Sequence, residues 1–244
     1  MTATEGVTGE LAGGPQPSPD PGELRAVLFD MDGLLVDTEE CWFRAETHVM
    51  ERLAGSRVES LWGREHQADV VGGPLERAAR VMLDLSGRDD VSPDEVARWL
   101  MDEMESLVRT GPVHWMPGAH ELLGEVRRAG LPTGLVSSSY RRIVEPVLDV
   151  VGRSHFEVTV ARDDVTRTKP DPEPYVRAAA TLGLSPRDCV ALEDSPTGVR
   201  AARAAGCPTV AVPGAAPVPA GLATAVVGSL RDIDLAWLRR LVAG

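Results

Sequence analysis

Apolar positions along the chain change period twice, and those changes divide it. Residues 1–23 are rich in Gly, Pro, Thr and Glu and hold little apolar content, so they are expected to remain disordered. Ala26–Phe29 is then a short continuous apolar run of a length suited to a buried strand. Beyond Thr38 the period becomes helical, with Phe43, Thr47, Met50 and Leu53 in register and a stop near Gly55. From there to about residue 115 the apolar stripes stay helical. Leu75, Ala78, Ala79, Met82 and Leu83 form one, and Val96, Trp99, Leu100, Met104, Leu107 and Val108 another. The second opens on Ser92-Pro93-Asp94-Glu95, which supplies a cap, a first-turn proline and a capping box, and it stops at Gly111-Pro112.

From Met116 the pattern alternates short buried runs with helices. Strands are predicted over 132–136, 157–161, 189–192 and 209–212, with a further edge strand near Val226 and Val227. Helices are predicted over 117–129, through Ile143, Val144, Val147, Leu148 and Val151, over 174–182, from Ser195-Pro196 to Gly206, and over 235–241. Pro146 should bend its helix or mark a late start. Strands alternating with helices imply right-handed crossovers and a parallel sheet, hence an α/β fold. The expected organisation is a core of residues 24–39 and 114–244, interrupted by a helical unit of residues 40–113. Ligands of such sheets bind beyond the carboxyl ends of the strands, so the residues that end each strand are the ones to inspect.

Composition narrows the chemistry. A net charge of −12 over 244 residues lacks the basic footprint of a nucleic-acid binder. No apolar run is long enough to cross a bilayer, and no basic region followed by an apolar core marks a signal peptide. Cys41, Cys189 and Cys207 are odd in number and lack metal-ligand spacing, which suits a reducing cytoplasm. His48, His66, His114, His120 and His155 show no metal spacing either. Lys169 is the only lysine of the chain, a compact point charge where every other basic side chain is a planar guanidinium.

Four clusters stand at predicted strand ends or in loops. Asp30 and Asp32 follow the first strand, with Gly33 allowing a turn that would let both carboxylates face one reacting centre, as a nucleophile and an acid/base require. Ser137 follows the next strand, ahead of a helix whose amides suit phosphate oxygens, with Ser138 or Ser139 as alternative caps. Lys169 lies in Thr168-Lys169-Pro170-Asp171-Pro172, a loop stiffened by its prolines. Glu193-Asp194 precede a capped helix and offer oxygen ligands suited to Mg²⁺. Each cluster alone has an ordinary explanation: an acidic turn, a serine cap, a solvated lysine, or acidic bias at a helix start worth ~0.3–1 kcal/mol.

In this order they resemble the four signatures of the haloacid dehalogenase superfamily, in its phosphatase branch. The resemblance spans about residues 25–213 and implies a Rossmann-like parallel-sheet core with an inserted α-helical cap, hinged near 38–41 and 113–116. It implies that Asp30 is a nucleophile forming an aspartyl-phosphate, and that Asp32 protonates the leaving group and then activates water. Ser137, Ser138 and Lys169 would bind the phosphoryl group. Mg²⁺ would be held by the Asp30 carboxylate, the Asp32 carbonyl and Asp194, with Glu193 either a ligand or a group behind the ligands. A carboxylate at Asp32 argues against carbon–halogen chemistry.

Within the superfamily the chain looks most like the group of β-phosphoglucomutase and sugar- or hexitol-phosphate phosphatases. Trp42 stands where the mutase has a histidine, and the stretch from Asp37 to Trp42 resembles the phosphatases. No lysine lies in the helical unit, which counts against the phosphonate-cleaving relatives. Specificity would come from residues 61–80, where Trp62, Arg64, His66, Arg77 and Arg80 are candidates. The resulting expectation is a cytoplasmic, monomeric, Mg²⁺-dependent phosphomonoesterase acting on a small phosphorylated metabolite such as a sugar or polyol phosphate. The alternatives are a phosphosugar mutase and a non-catalytic binding protein on the same fold.

Overall fold

A computed structural model describes residues 23–70, 75–214 and 216–243. The expected disordered tail therefore falls outside the described residues, apart from Glu23. The main sheet is built from β1 (Ala26–Phe29), β4 (Thr133–Val136), β5 (Val158–Val160), β6 (Cys189–Glu193), β7 (Thr209–Ala211) and β8 (Ala225–Val226). Two shorter strands, β2 (Val36–Asp37) and β3 (His114–Trp115), pair antiparallel with each other. The main sheet runs in the order β5-β4-β1-β6-β7-β8, and every pairing in it is parallel.

Because β1 is central, its alternating side chains serve two cores. Val27 and Phe29 join Leu135, Val190, Leu192 and Val210 on one face. Ala26 and Leu28 join Val136, Val158, Cys189 and Ala191 on the other. A parallel sheet buried on both faces explains why these strands read as continuous apolar runs. The first face carries residues of α6 (Ala119–Arg128), α7 (Arg141–Val151) and α10 (Leu235–Ala243), the second those of α8 (Glu173–Thr181) and α9 (Pro196–Ala205). Chain direction across the sheet reverses at β1, between β4 and β6. That is the switch point where a crevice opens at the carboxyl ends of the strands.

Between β2 and β3 the described elements are helices: α1 (Glu39–Ala54), α2 (Val58–Leu61), α3 (Arg64–Val70), α4 (Leu75–Ser86) and α5 (Pro93–Thr110). The far ends of α1 and α5 share an apolar cluster with α4, through Val49, Met50, Ala79, Met82, Val96 and Leu100. Their near ends belong instead to the core of the sheet, through Cys41, Ala45, Met104, Leu107 and Val108. Ser92 caps α5 by accepting the Glu95 N–H, the expected half of the capping box, while no return bond from the Glu95 side chain is present among the described residues. Neither Ser138 nor Ser139 caps α7, whose cap position is Tyr140 without a side-chain bond. Pro146 sits inside α7, five residues after its start, so it does not mark a late start.

Candidate active site

Strand ends carry the site. Asp30 leaves β1 with its N–H donating to Leu192 O at 3.0 Å, and the chain turns at Gly33, whose φ is +78°. Glycine is needed there, since a Cβ would run into Oδ2 of Asp194. Ser137 leaves β4 with its N–H on Val160 O at 2.9 Å. Glu193 is the last residue of β6, and Asp194 follows it.

Lys169 reaches this point from the loop ahead of α8. Glu173 fixes that loop by accepting the N–H groups of Thr166 and Arg167 at 2.8 and 2.9 Å. The ammonium is buried and donates to three oxygens: Asp30 Oδ1 at 2.5 Å, Glu193 Oε1 at 2.6 Å and Val136 O at 2.8 Å. Three hydrogens thus meet three acceptors. Burial works against its charge, but Asp30 and Glu193 hold its pKa above the ordinary lysine range. Glu193, fully buried, also accepts the Tyr175 hydroxyl at 2.5 Å.

Asp32 faces different partners. Thr38 donates to Oδ1 at 2.6 Å, while Ser137 and Ser139 donate to Oδ2 at 3.1 and 2.8 Å. Thr38 immediately precedes α1, so this carboxylate is tied to the start of the helical segment. The fold therefore gathers Asp30, Asp32, Ser137, Lys169, Glu193 and Asp194. Ser138 is exposed, and its hydroxyl accepts from Thr168 at 3.3 Å.

Ser139, Thr38 and Tyr175 were not singled out from the sequence as site residues. Ser139 and Thr38 carried a signal, since each lies within a stretch that ends or follows a strand. Tyr175 carried none. Among the described residues, Trp62, Arg64, His66, Arg77 and Arg80 form no bond to Asp30, Asp32, Glu193 or Asp194. Trp62 is buried, with its Nε1 unpartnered among the described residues and its ring stacked on His66 at 5.8 Å. Arg64 lies over the Phe43 ring, 3.8 Å from its centroid, and bonds Gln67 and Glu40. Arg77 and Arg80 are exposed, and Trp42 packs against the core of the sheet.

Charge is unbalanced here. Burial, opposed by Lys169 and reinforced by Glu193, Asp194 and Asp32, pushes the Asp30 carboxyl well above the usual carboxylate range. Burial and Glu193 likewise push Asp194 up to about 7. One ammonium does not offset four carboxylates, and a cation would relieve the excess. Asp30, Glu193 and Asp194 each offer an oxygen within 4.8 Å of the others. An all-carboxylate donor set of this kind fits a hard divalent ion such as Mg²⁺.

Comparison with known proteins shows which family the chain resembles over most of its length. A family model described as haloacid dehalogenase-like hydrolase matches residues 27–212. Hexitol phosphatase B of Escherichia coli K12 is 33% identical over 195 residues, covering 79% of this chain and 85% of that protein. Protein CbbY of Rhodobacter capsulatus is 32% identical over 198 residues, covering 78% and 86%. The crystal structure of CbbY from Rhodobacter sphaeroides in complex with phosphate superposes with a TM-score of 0.75 at 27% identity, covering 88% of this chain and 99% of that one.

Proposed function

The chain belongs to the haloacid dehalogenase-like hydrolases, and we propose that it is a Mg²⁺-dependent phosphatase of sugar or polyol phosphates working through a phosphoryl group carried on Asp30. It is an enzyme of the phosphomonoesterase type. The observation that carries the mechanism is the contrast between its two aspartates. Asp30 is bonded to a buried ammonium, whereas the side chain of Asp32, two residues on, is bonded among the described residues to hydroxyls only. Relatives named for hexitol phosphates support the substrate class.

In this reading Asp30 attacks phosphorus and the alkoxide departs. A phosphomonoester dianion is repelled by a carboxylate, and Lys169 offsets that repulsion as charge develops. Its three hydrogens are already engaged, so it reaches a phosphoryl oxygen by exchanging one acceptor. Asp30 is the acceptor that turns toward the substrate. Asp32 gives its proton to the leaving oxygen, then takes one from the water that hydrolyses the acyl phosphate. Ser137, with the backbone that follows it, would hold phosphoryl oxygens, and exposed Ser138 would meet them from solvent. Mg²⁺, held by Asp30, Asp194 and the Asp32 carbonyl, would supply Lewis-acid neutralisation of the transferring group.

We place the helices between β2 and β3 as a cap over this crevice. Thr38 links Asp32 to α1, so movement of the cap would reposition the acid/base. A phosphosugar mutase is the competing reading, and Trp42 counts against it because its indole supplies a donor and no acceptor. The test is phosphate release from a panel of hexose, hexitol and pentitol phosphates and glycolate phosphate, with Mg²⁺ or with chelator. Metal-dependent release from a narrow subset is expected. Release that ignores the chelator, or conversion of a hexose 1-phosphate to its isomer without release, would contradict the proposal.

A further inference from the structure

We propose that Tyr175 is a positioning residue of this site: its hydroxyl fixes Glu193 and, through Glu193, holds the Lys169 ammonium at Asp30. Tyr175 is on α8 and fully buried. Its hydroxyl donates to Glu193 Oε1 at 2.5 Å, and the same oxygen accepts from Lys169 at 2.6 Å. The lysine Nζ also lies 5.2 Å from the centroid of the tyrosine ring. One side chain thus meets the ammonium's anchor with its hydroxyl and the ammonium itself with its ring.

The opposite side of Glu193 is equally confined. Ser195 donates to Oε2 at 3.4 Å, and a Cβ on Gly198 would overlap the whole carboxyl group. The carboxylate therefore lies against the first turn of α9, where glycine leaves room for it and the helix N-terminus favours its charge. Held between that turn and Tyr175, Glu193 presents one oxygen to Lys169 in a fixed place. Loss of the tyrosine hydroxyl would leave that oxygen with a single donor and free the carboxylate to turn. The lysine would then be anchored by Asp30 and the Val136 carbonyl alone. Misplacement by about 1 Å at a reacting centre costs on the order of 10²-fold in rate. Packing alone would be served by phenylalanine, which carries no buried hydroxyl to satisfy.

Because Lys169 is the only lysine, ¹⁵N-lysine labelling gives one side-chain ammonium signal, and it reports this site directly. In the full-length protein that signal is expected to exchange slowly with solvent. In Tyr175→Phe it should shift, and its hydrogens should exchange about tenfold faster or more, consistent with losing a hydrogen bond to a charged group. Turnover should fall by about tenfold, with KM changed by less than about threefold. An ammonium signal unchanged in position and exchange would overturn the assignment, whatever happens to turnover. Should Tyr175→Phe not fold, 3-fluorotyrosine incorporation preserves the ring and strengthens the phenol as a donor. A shifted lysine signal is then expected, and an unmoved one overturns the proposal. The turnover readout rests on the phosphatase reading, whereas the ammonium readout does not. A shifted ammonium in a protein that hydrolyses no ester would refute the function and leave the role of Tyr175 standing.

Discussion

Lys169→Met removes the ammonium bonded to two of the four clustered carboxylates, Asp30 and Glu193, while keeping most of the side-chain volume. The lysine side chain is 3% exposed, and its partners Asp30 and Glu193 are 8% and 0% exposed. Breaking a buried ion pair by deleting one partner costs about 3–5 kcal/mol, because the other charges stay buried without compensation. For a chain of this size each kcal/mol moves the melting temperature by about 2–4 °C. The metal-free variant should therefore melt roughly 6–20 °C lower than the parent at neutral pH. The pH dependence has a definite sign. Asp30 and Asp194 have folded-state pKa values raised above their ordinary value, so the native state holds protons that the unfolded chain has released. Stability is then lost as pH rises through those raised values, and the penalty of Lys169→Met should shrink toward about pH 5. Mg²⁺ restores positive charge and should raise the variant's melting temperature by more than the parent's. Thermal unfolding followed by circular dichroism, at both pH values and with Mg²⁺ or chelator, measures all of this. A variant melting within about 2 °C of the parent in chelator at neutral pH, or a penalty that grows on acidification, would refute the reasoning.

Lys169→Arg keeps the charge but cannot place a planar guanidinium where an ammonium meets three acceptors; turnover measured at saturating substrate should drop by about 10²–10³, and near-parental turnover would mean the ammonium is not at the phosphoryl group. Gly198→Ala forces a methyl into the Glu193 carboxyl and should destabilise by about 1–3 kcal/mol in denaturant melts. The control Gly124→Ala, in α6 with open space around it, should stabilise by about 0.5–1 kcal/mol. Asp194, pushed up to about 7 by burial and by Glu193, must lose its proton to ligate metal. Calorimetric Mg²⁺ titration should show affinity weakening by up to about tenfold per pH unit below that value, and pH-independent affinity would remove Asp194 from the donor set.

Local signals were legible wherever one short segment decides the outcome. Ser92-Pro93 opens α5, Ser195-Pro196 opens α9, and Gly206 closes α9 in the left-handed region, all as their residue types require. Continuous apolar runs marked the strands because the parallel sheet buries both faces. The β2–β3 pair was not legible, since two residues each give no period to detect. Pro146 was misleading as a possible late start because α7 begins at Arg141, ahead of it. Within the site, Asp30, Asp32, Glu193 and Asp194 could be found because parallel topology delivers strand ends to one crevice, and Lys169 because it is the only lysine and lies in a loop stiffened by prolines. Tyr175 could not, because a tyrosine spaced among the alanines of an amphipathic helix reads as core. Only the approach of α8 to the end of β6 gives its hydroxyl a partner.

In the proposed mechanism the phosphoryl group passes through Asp30. Rapid acid quench of enzyme turning over a hydrolysed ester, followed by reduction of the acyl phosphate and peptide mass spectrometry, tests it most directly. Modification of Asp30 alone is expected, with neither modification nor turnover in a folded Asp30→Asn variant. Modification at another residue, or full turnover by Asp30→Asn, would contradict it.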